Sequence, residues 1–403
     1  MDKIEILKYY FGYDSLKEYQ SKIIDSILSS KDTIGILPTG YGKSICFTIP
    51  SLLLDGVTLV ITPLIALMAD QVINLKSKYI KAEYISSGME EYMIDNIYNK
   101  LKRNDIKILY IAAERLLNKK FLNTIKSIKI SLIVCDEAHT LLWSDDFRQK
   151  IKELKSFILG LDYRPKLLAL TATATNNTID KIKYLMNLNN PKIISANPDR
   201  ENIYYRIIKT NNKDRELLKY INNNKEKGII YCLTIKKCLY LYEMLKNLGY
   251  LVGIYHGSLE SDIKSQMQKD FKNNKIKIMI CTNAFGMGID IPDIRYVIDY
   301  DMPMSIEDFS QQTGRASRDN KYAEGVLLFD RNDIKTIEYF IENIDDSNID
   351  YKQLEKIKLD KYKKLDSMID LIISNKCIHK YIVNYFGFDY NKKCNMCSNC
   401  YKK

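Results

Sequence analysis

The sequence has no long hydrophobic run. Its most apolar stretch, LVITPLIALMA at residues 59–69, is too short and too broken by proline to span a bilayer. The N-terminus, MDKIEILKYYFGYD, lacks the basic start and apolar run of a signal peptide, so a soluble chain within the cytoplasm or nucleus is expected, with no membrane partner. No repeat of the solenoid kind recurs, and asparagine-rich patches such as NNNK read as loops. Tryptophan occurs once, at Trp143.

Length and charge bound the rest. With 403 residues, 46% of them hydrophobic, the chain is too long for one comfortable core and is expected to hold two or three domains. Lys+Arg 61 against Asp+Glu 50 leaves a net charge of +11, which suits a polyanionic partner if the excess gathers on one surface. Abundant Lys, Ile, Asn and Tyr also fit an AT-rich coding bias, so charge alone decides nothing. Five of the nine cysteines, Cys46, Cys135, Cys232, Cys238 and Cys281, sit singly in apolar segments, and the other four fall near the end. That asymmetry argues for metal rather than disulfides.

Short β-branched runs (TIGIL, VTLVIT, KILYIA, SLIVC, KLLALT) alternate with helix-length segments, the rhythm of a doubly wound parallel sheet. It restarts after the polar stretch near residues 189–203 and stops near Asp333, where amphipathic helices take over. The α/β fold expected is therefore two tandem lobes, residues 1–200 and 201–335, followed by a small helical domain at 336–403.

The stretch GILPTGYGKS places a strand, a glycine-containing loop and a helix start in succession. Such a loop lets backbone N–H groups approach phosphate oxygens, with Thr39, Gly40 and Gly42 in the cradle, Lys43 reaching the β and γ phosphates and Ser44 holding Mg²⁺. The strict motif has glycine where this chain has Leu37. Further on, SLIVCDEAH puts Asp136 and Glu137 just past an apolar strand, where ligands of open α/β sheets sit. Asp136 would hold Mg²⁺ through water, and Glu137 would orient and deprotonate the attacking water. An ATPase is the reading.

Cys377 is followed by sixteen residues and then by Cys394, Cys397 and Cys400 in a CxxCxxC run. Four thiolates can close a tetrahedral Zn²⁺ site. His379, two residues from Cys377 on an expected helix, is assigned to the surface rather than to the metal.

The motifs LPTGYGKS, VITPLIALMADQV, ILYIAAERL, CDEAHTLLWSDDFR, ALTATAT, GIIYC, CTNAFGMGIDIPDIR and QQTGRASRD, taken in order, resemble those of superfamily 2 helicases and, within them, the RecQ DNA helicases. The resemblance runs over nearly the whole chain. It implies RecA-like lobes binding ATP between them, a RecQ zinc-binding domain at the end, and DNA as partner, single-stranded or as tailed duplex. By position it implies that Gln20 reads the adenine edge and that Arg315 and Arg318 reach the γ-phosphate. It further implies that His139 of the DEAH box links the lobes, and that Trp143, Phe147 and Arg148 lie on an aromatic-rich loop coupling DNA to hydrolysis. His256 belongs to the YHG motif rather than to metal chemistry.

The chain departs from the family pattern at Asp145, at LKEYQ before the adenine pocket, at Gln312 and at Ser317, where the family has glycine. RecQ proteins commonly continue past the zinc domain into a winged helix, whereas this sequence stops three residues after Cys400. The expected function is an ATP- and Mg²⁺-dependent 3′–5′ DNA helicase in repair, recombination or replication, acting as a monomer. The alternative is a translocase stimulated by single-stranded DNA that unwinds duplexes weakly. The RecQ-specific motifs disfavour an RNA remodeller, and the intact Lys43, Asp136, Glu137 and Arg318 disfavour a non-catalytic scaffold.

Overall fold

A computed structural model describes residues 1–62, 65–139, 154–286, 291–344 and 351–401. The chain divides into two compact units, Met1–Asn197 and Pro198–Lys403. Each is built on a parallel sheet.

In the first unit the strands are β1 (Thr33–Ile36), β2 (Val57–Ile61), β3 (Ala82–Ile85), β4 (Ile108–Ile111), β5 (Ile130–Cys135), β6 (Lys166–Thr171) and β7 (Lys192–Ser195), in the spatial order β3-β4-β2-β5-β6-β1-β7. All recorded pairings are parallel, with β1 held between β6 and β7. Burial on both faces explains the unbroken apolar runs. Along β2, Leu59 and Ile61 enter one core cluster and Val60 the other, and along β5 Ile133 and Cys135 oppose Leu132 and Val134. Such strands can exist only with helices on both sides.

The second unit repeats the plan with β8 (Ile203–Lys209), β9 (Gly228–Tyr231), β10 (Val252–Tyr255), β11 (Ile278–Cys281), β12 (Tyr296–Asp299) and β13 (Ala323–Phe329), in the order β10-β11-β9-β12-β13-β8. The helical segment expected as a third domain packs into this unit. Leu365, Met368 and Leu371 of the helix Tyr351–Ile373, together with Ile378, Ile382 and Cys397, share one hydrophobic cluster with Tyr231, Met279 and Val297 of the sheet. The cysteine loop also continues the sheet edge: Tyr205 N–H of β8 donates to Met396 O (3.0 Å) and Ser398 N–H donates to Tyr205 O (2.8 Å). No helix among the described residues is long and apolar enough to cross a membrane.

Candidate nucleotide site, arginine loop and metal centre

The loop after β1 is shaped by two glycines in the left-handed region, Gly40 at φ 80° and Gly42 at φ 88°. At Gly42 a side chain is doubly excluded, because a Cβ there would lie 2.7 Å from Gln20 Nε2. Gln20 is buried against the loop itself. Its Nε2 donates to Tyr41 O (3.0 Å) and Gly42 O (3.1 Å), and its Oε1 accepts from Lys17 N–H (3.0 Å). The helix Ile45–Leu53 starts directly behind Ser44, so the positive end of its dipole faces the loop, the arrangement that favours phosphate.

Asp136 stands at the carboxyl end of β5, where its N–H extends the ladder to Ile61 O (3.0 Å). Glu137 follows at φ 50°, a strained backbone of the sort kept at working sites. From there its carboxylate meets Lys43, Nζ to Oε1 2.8 Å, and lies 3.6 Å from His139 Nδ1. His139 Nδ1 also contacts Thr171 Oγ1 (2.8 Å) at the end of β6, and Thr171 Oγ1 donates to Thr173 O (2.8 Å). Burial, reinforced by the Glu137 charge, pushes the Asp136 carboxyl up to about 6. Two carboxylates crowded in low dielectric favour a cation beside them, so Asp136 and Ser44 fit a Mg²⁺ ion held with the nucleotide phosphates.

The loop that follows the helix Ile306–Thr313 carries the two arginines, and it lies in the second unit. Arg315 is buried, and its Nη1 donates to Gly286 O. Gly286 has φ 102°, and a Cβ there would lie 2.5 Å from Arg315 Nε. Arg318 is partly exposed. Trp143, Asp145, Phe147 and Arg148 lie outside the described residues.

Cys377, Cys394, Cys397 and Cys400 come together. Their four sulfurs lie within 4.8 Å of one another, near the ~3.8 Å edge that Zn–S bonds of ~2.3 Å imply for a tetrahedron. Lys380 N–H points at Cys377 Sγ and Met396 N–H at Cys394 Sγ, each at 3.4 Å, backbone donors that suit thiolates. The hydrogen bond from Cys377 holds the Cys397 thiol down at about 4. The donor set fits Zn²⁺.

Family models match three successive segments: the DEAD/DEAH box helicase over residues 17–182, the helicase conserved C-terminal domain over 212–320 and the RecQ zinc-binding domain over 331–401. The ATP-dependent DNA helicase RecQ of Bacillus subtilis (strain 168) is 37% identical over 398 residues, 98% of this chain and 66% of that protein. The protein of the same name from a Synechocystis strain is 35% identical over 338 residues, 80% of this chain and 70% of its own length. This chain belongs to the RecQ family of helicases. It spans 62–66% of the length of several RecQ relatives that it matches over 98% of itself. S. cerevisiae Dbp5 bound to RNA and ADP BeF3, at 19% identity and a TM-score of 0.68 over 91% of this chain and 97% of Dbp5, shows the shared fold alone.

Against the RecQ pattern, the structure accommodates Ser317 at φ 50°, a left-handed backbone that glycine adopts without strain. The Ser317 hydroxyl compensates by accepting from Asn202 Nδ2 (2.9 Å) and donating to Lys321 O. Gln312 donates to Asn283 Oδ1 in the motif after β11.

His379 is not a surface residue. It is 2% exposed, with Nδ1 on Asp199 Oδ1 (2.6 Å) and Nε2 between Ile203 O and Met396 O (3.1 Å each). The helix Ile378–Tyr385 turns this face onto β8, which a helical wheel drawn without its neighbour cannot show. Asp199, Arg200 and Asn202, within the polar stretch near residues 189–203, carry structural roles that no sequence motif marks. Their signal was the concentration of charge in PDREN.

Proposed function

We propose that this RecQ-family chain is an ATP- and Mg²⁺-dependent DNA helicase that moves 3′ to 5′ and serves repair, recombination or replication. It acts within the cell, as a monomer, on single strands and tailed duplexes. The observation that carries the reading is the Lys43–Glu137 contact at the carboxyl end of the first sheet, beside Asp136.

Lys43 moves from Glu137 onto the β and γ phosphates when ATP enters the Gly40–Gly42 loop, and the Gln20 amide turns from the Tyr41 and Gly42 carbonyls to read the adenine edge. Release of that ion pair frees the Glu137 carboxylate to take a proton from water as the water oxygen bonds the γ-phosphorus. The bond to the β-phosphate oxygen breaks and ADP carries away the electron pair. Ser44 and Asp136 would hold Mg²⁺, which would supply charge neutralisation on the phosphates. Arg315 and Arg318 stabilise the charge that develops on the transferred group, a contribution of ~10³ or more in rate. His139, through Thr171, and the segment bearing Trp143, Phe147 and Arg148 couple hydrolysis to DNA.

The names of the Bacillus subtilis and Synechocystis RecQ relatives support DNA as substrate, and the zinc-binding match supports Zn²⁺ as a structural ion. ATP turnover measured side by side with single-stranded DNA, a 3′-tailed duplex and RNA tests the reading. DNA-dependent turnover with strand release from the tailed duplex is expected. Turnover driven equally by RNA would overturn the substrate assignment, and turnover without strand release would favour the translocase.

A further inference from the structure

Arg200 lies just ahead of β8, in the same unit as the arginine loop. Its guanidinium donates to three backbone carbonyls of that loop: Nη1 to Gly314 O (2.9 Å), and Nη2 to Ala316 O (3.1 Å) and Ser317 O (3.0 Å). These carbonyls belong to the turn that ends the helix Ile306–Thr313, and they bracket Arg315 and immediately precede Arg318. Carbonyls past a helix C-terminus have no partner within the helix, and a cation there also meets the negative end of its dipole. Arg200 answers both needs.

Neighbouring residues stiffen the arrangement. Asn202 Nδ2 donates to Ser317 O (3.2 Å), Ser317 Oγ (2.9 Å) and Lys321 O (3.0 Å). Asp199 is itself fixed, by His379 Nδ1 at 2.6 Å and Lys392 Nζ at 3.0 Å. The segment 199–202 therefore grips the arginine loop with one set of side chains and the cysteine module with another. A planar fork spans three acceptors at once, which the single ammonium of a lysine cannot reproduce.

We propose that Arg200 is a positioning residue for ATP hydrolysis, holding the backbone of the Gly314–Arg318 loop so that Arg318 meets the γ-phosphate. The proposal rests on the reading that Arg318 acts on that phosphate. Arg200 holds carbonyls of the arginine loop, whereas the Leu37–Ser44 phosphate loop is built within the first unit, so loss of Arg200 should slow turnover rather than weaken nucleotide binding. A small misplacement of a catalytic group is enough to cost ~10²-fold in rate.

The test measures DNA-stimulated ATP hydrolysis for Arg200→Ala, Arg200→Lys, Arg318→Ala and the double variant Arg200→Ala/Arg318→Ala. Ile337→Val, a truncation in the core of the same unit, controls for lost stability. The expected result is a ~10²-fold fall in kcat for Arg200→Ala with KM for ATP within about threefold, and a fall for Arg200→Lys as well. The double variant should be no slower than Arg318→Ala, since residues acting as one unit are not additive. Ile337→Val should keep its kcat. If Arg200→Ala does not purify, Arg200→Lys carries the same comparisons.

An inactive Arg318→Ala beside a fully active Arg200→Ala would overturn the positioning role and leave the arginine reading standing. Two fully active variants would overturn both. Losses that multiply in the double variant, or an active Arg318→Ala beside an impaired Arg200→Ala, would show that Arg200 acts by another route and overturn the proposal.

Discussion

Lys43 and Glu137, separated by 94 positions in the chain, meet at 2.8 Å, the ammonium on the carboxylate. Each is the other's partner while no phosphate is present, so removing either exposes a different part of the reaction. Lys43→Ala should abolish measurable turnover and weaken ATP binding, because the charge on the β and γ phosphates goes unanswered. Glu137→Gln should bind ATP as well as the parent and lose ~10²- to 10⁴-fold in turnover, the range for a general base. ATP affinity and steady-state hydrolysis of both variants check this, and near-normal turnover in the pair would defeat the ATPase reading.

Zinc removal should undo the second unit from its end. Cys397 is buried in the same hydrophobic cluster as the sheet residues Tyr231 and Val297, so the metal and the packing stand or fall together. Zinc in thiolate sites contributes ~10 kcal/mol, comparable to the whole stability of a domain. Cys397→Ser is expected to purify without zinc, with the helices after residue 351 open to protease and ATP affinity retained. Elemental analysis of the parent protein should return one zinc per chain, and an absence of zinc in preparations made without chelator would reject the site.

His379 gives a separate handle on the same module. Both its nitrogens face oxygen atoms, Asp199 on one side and two backbone carbonyls on the other, so the ring ties the cysteine module to the segment ahead of β8. Against the upward push of burial, the contacts with His379 and Lys392 hold the Asp199 carboxyl below its ordinary value. Removing the ring takes this contact from the buried Asp199 carboxylate and leaves it that with Lys392, and a lost hydrogen bond to a charged group typically costs ~1.5–3 kcal/mol. His379→Ala should lower the melting temperature of the second unit by several degrees while zinc content stays at one per chain. Loss of the zinc along with the histidine would instead make His379 part of the metal centre.

The sheets were readable because their strands are apolar on both faces and separated by helix-length segments. VTLVIT and SLIVC could hardly be anything but central parallel strands. The phosphate loop and the cysteine quartet were readable because their chemistry demands fixed spacing along the chain. What the sequence concealed depends on distant partners. No local pattern says that Gln20 packs on Gly42, that Arg200 caps a helix some 114 residues on, or that a histidine beside a cysteine turns inward to an aspartate 180 positions away. Thr171 was visible only as one letter of a motif, and its contact with His139 came from the adjacency of β5 and β6.

Asp299 makes the stability of the second unit depend on pH in an unusual direction. It ends β12 with no solvent exposure, and neither carboxylate oxygen has a hydrogen-bond partner among the described residues. Burial, reinforced by the neighbouring Asp308 charge, pushes the carboxyl well above its ordinary 3.8. Asp308 is raised too, chiefly by burial, its carboxylate accepting from the Ser305 hydroxyl (2.7 Å). A raised folded value means that the folded unit keeps a proton that the unfolded chain has already lost. Stability is therefore greatest below the unfolded value of 3.8, falls as pH rises through the interval up to the folded value, and levels off above it. Within that interval each pH unit removes up to about 1.4 kcal/mol for this one group. Asp299→Asn cannot ionise, so it should lessen the decline, being less stable than or equal to the parent near pH 4 and more stable near pH 8. Urea unfolding of the zinc-loaded protein between about pH 5 and pH 8, where the metal is retained, gives the slopes directly. Parallel slopes for parent and variant would mean that the Asp299 carboxyl finds a partner for its charge in the folded protein.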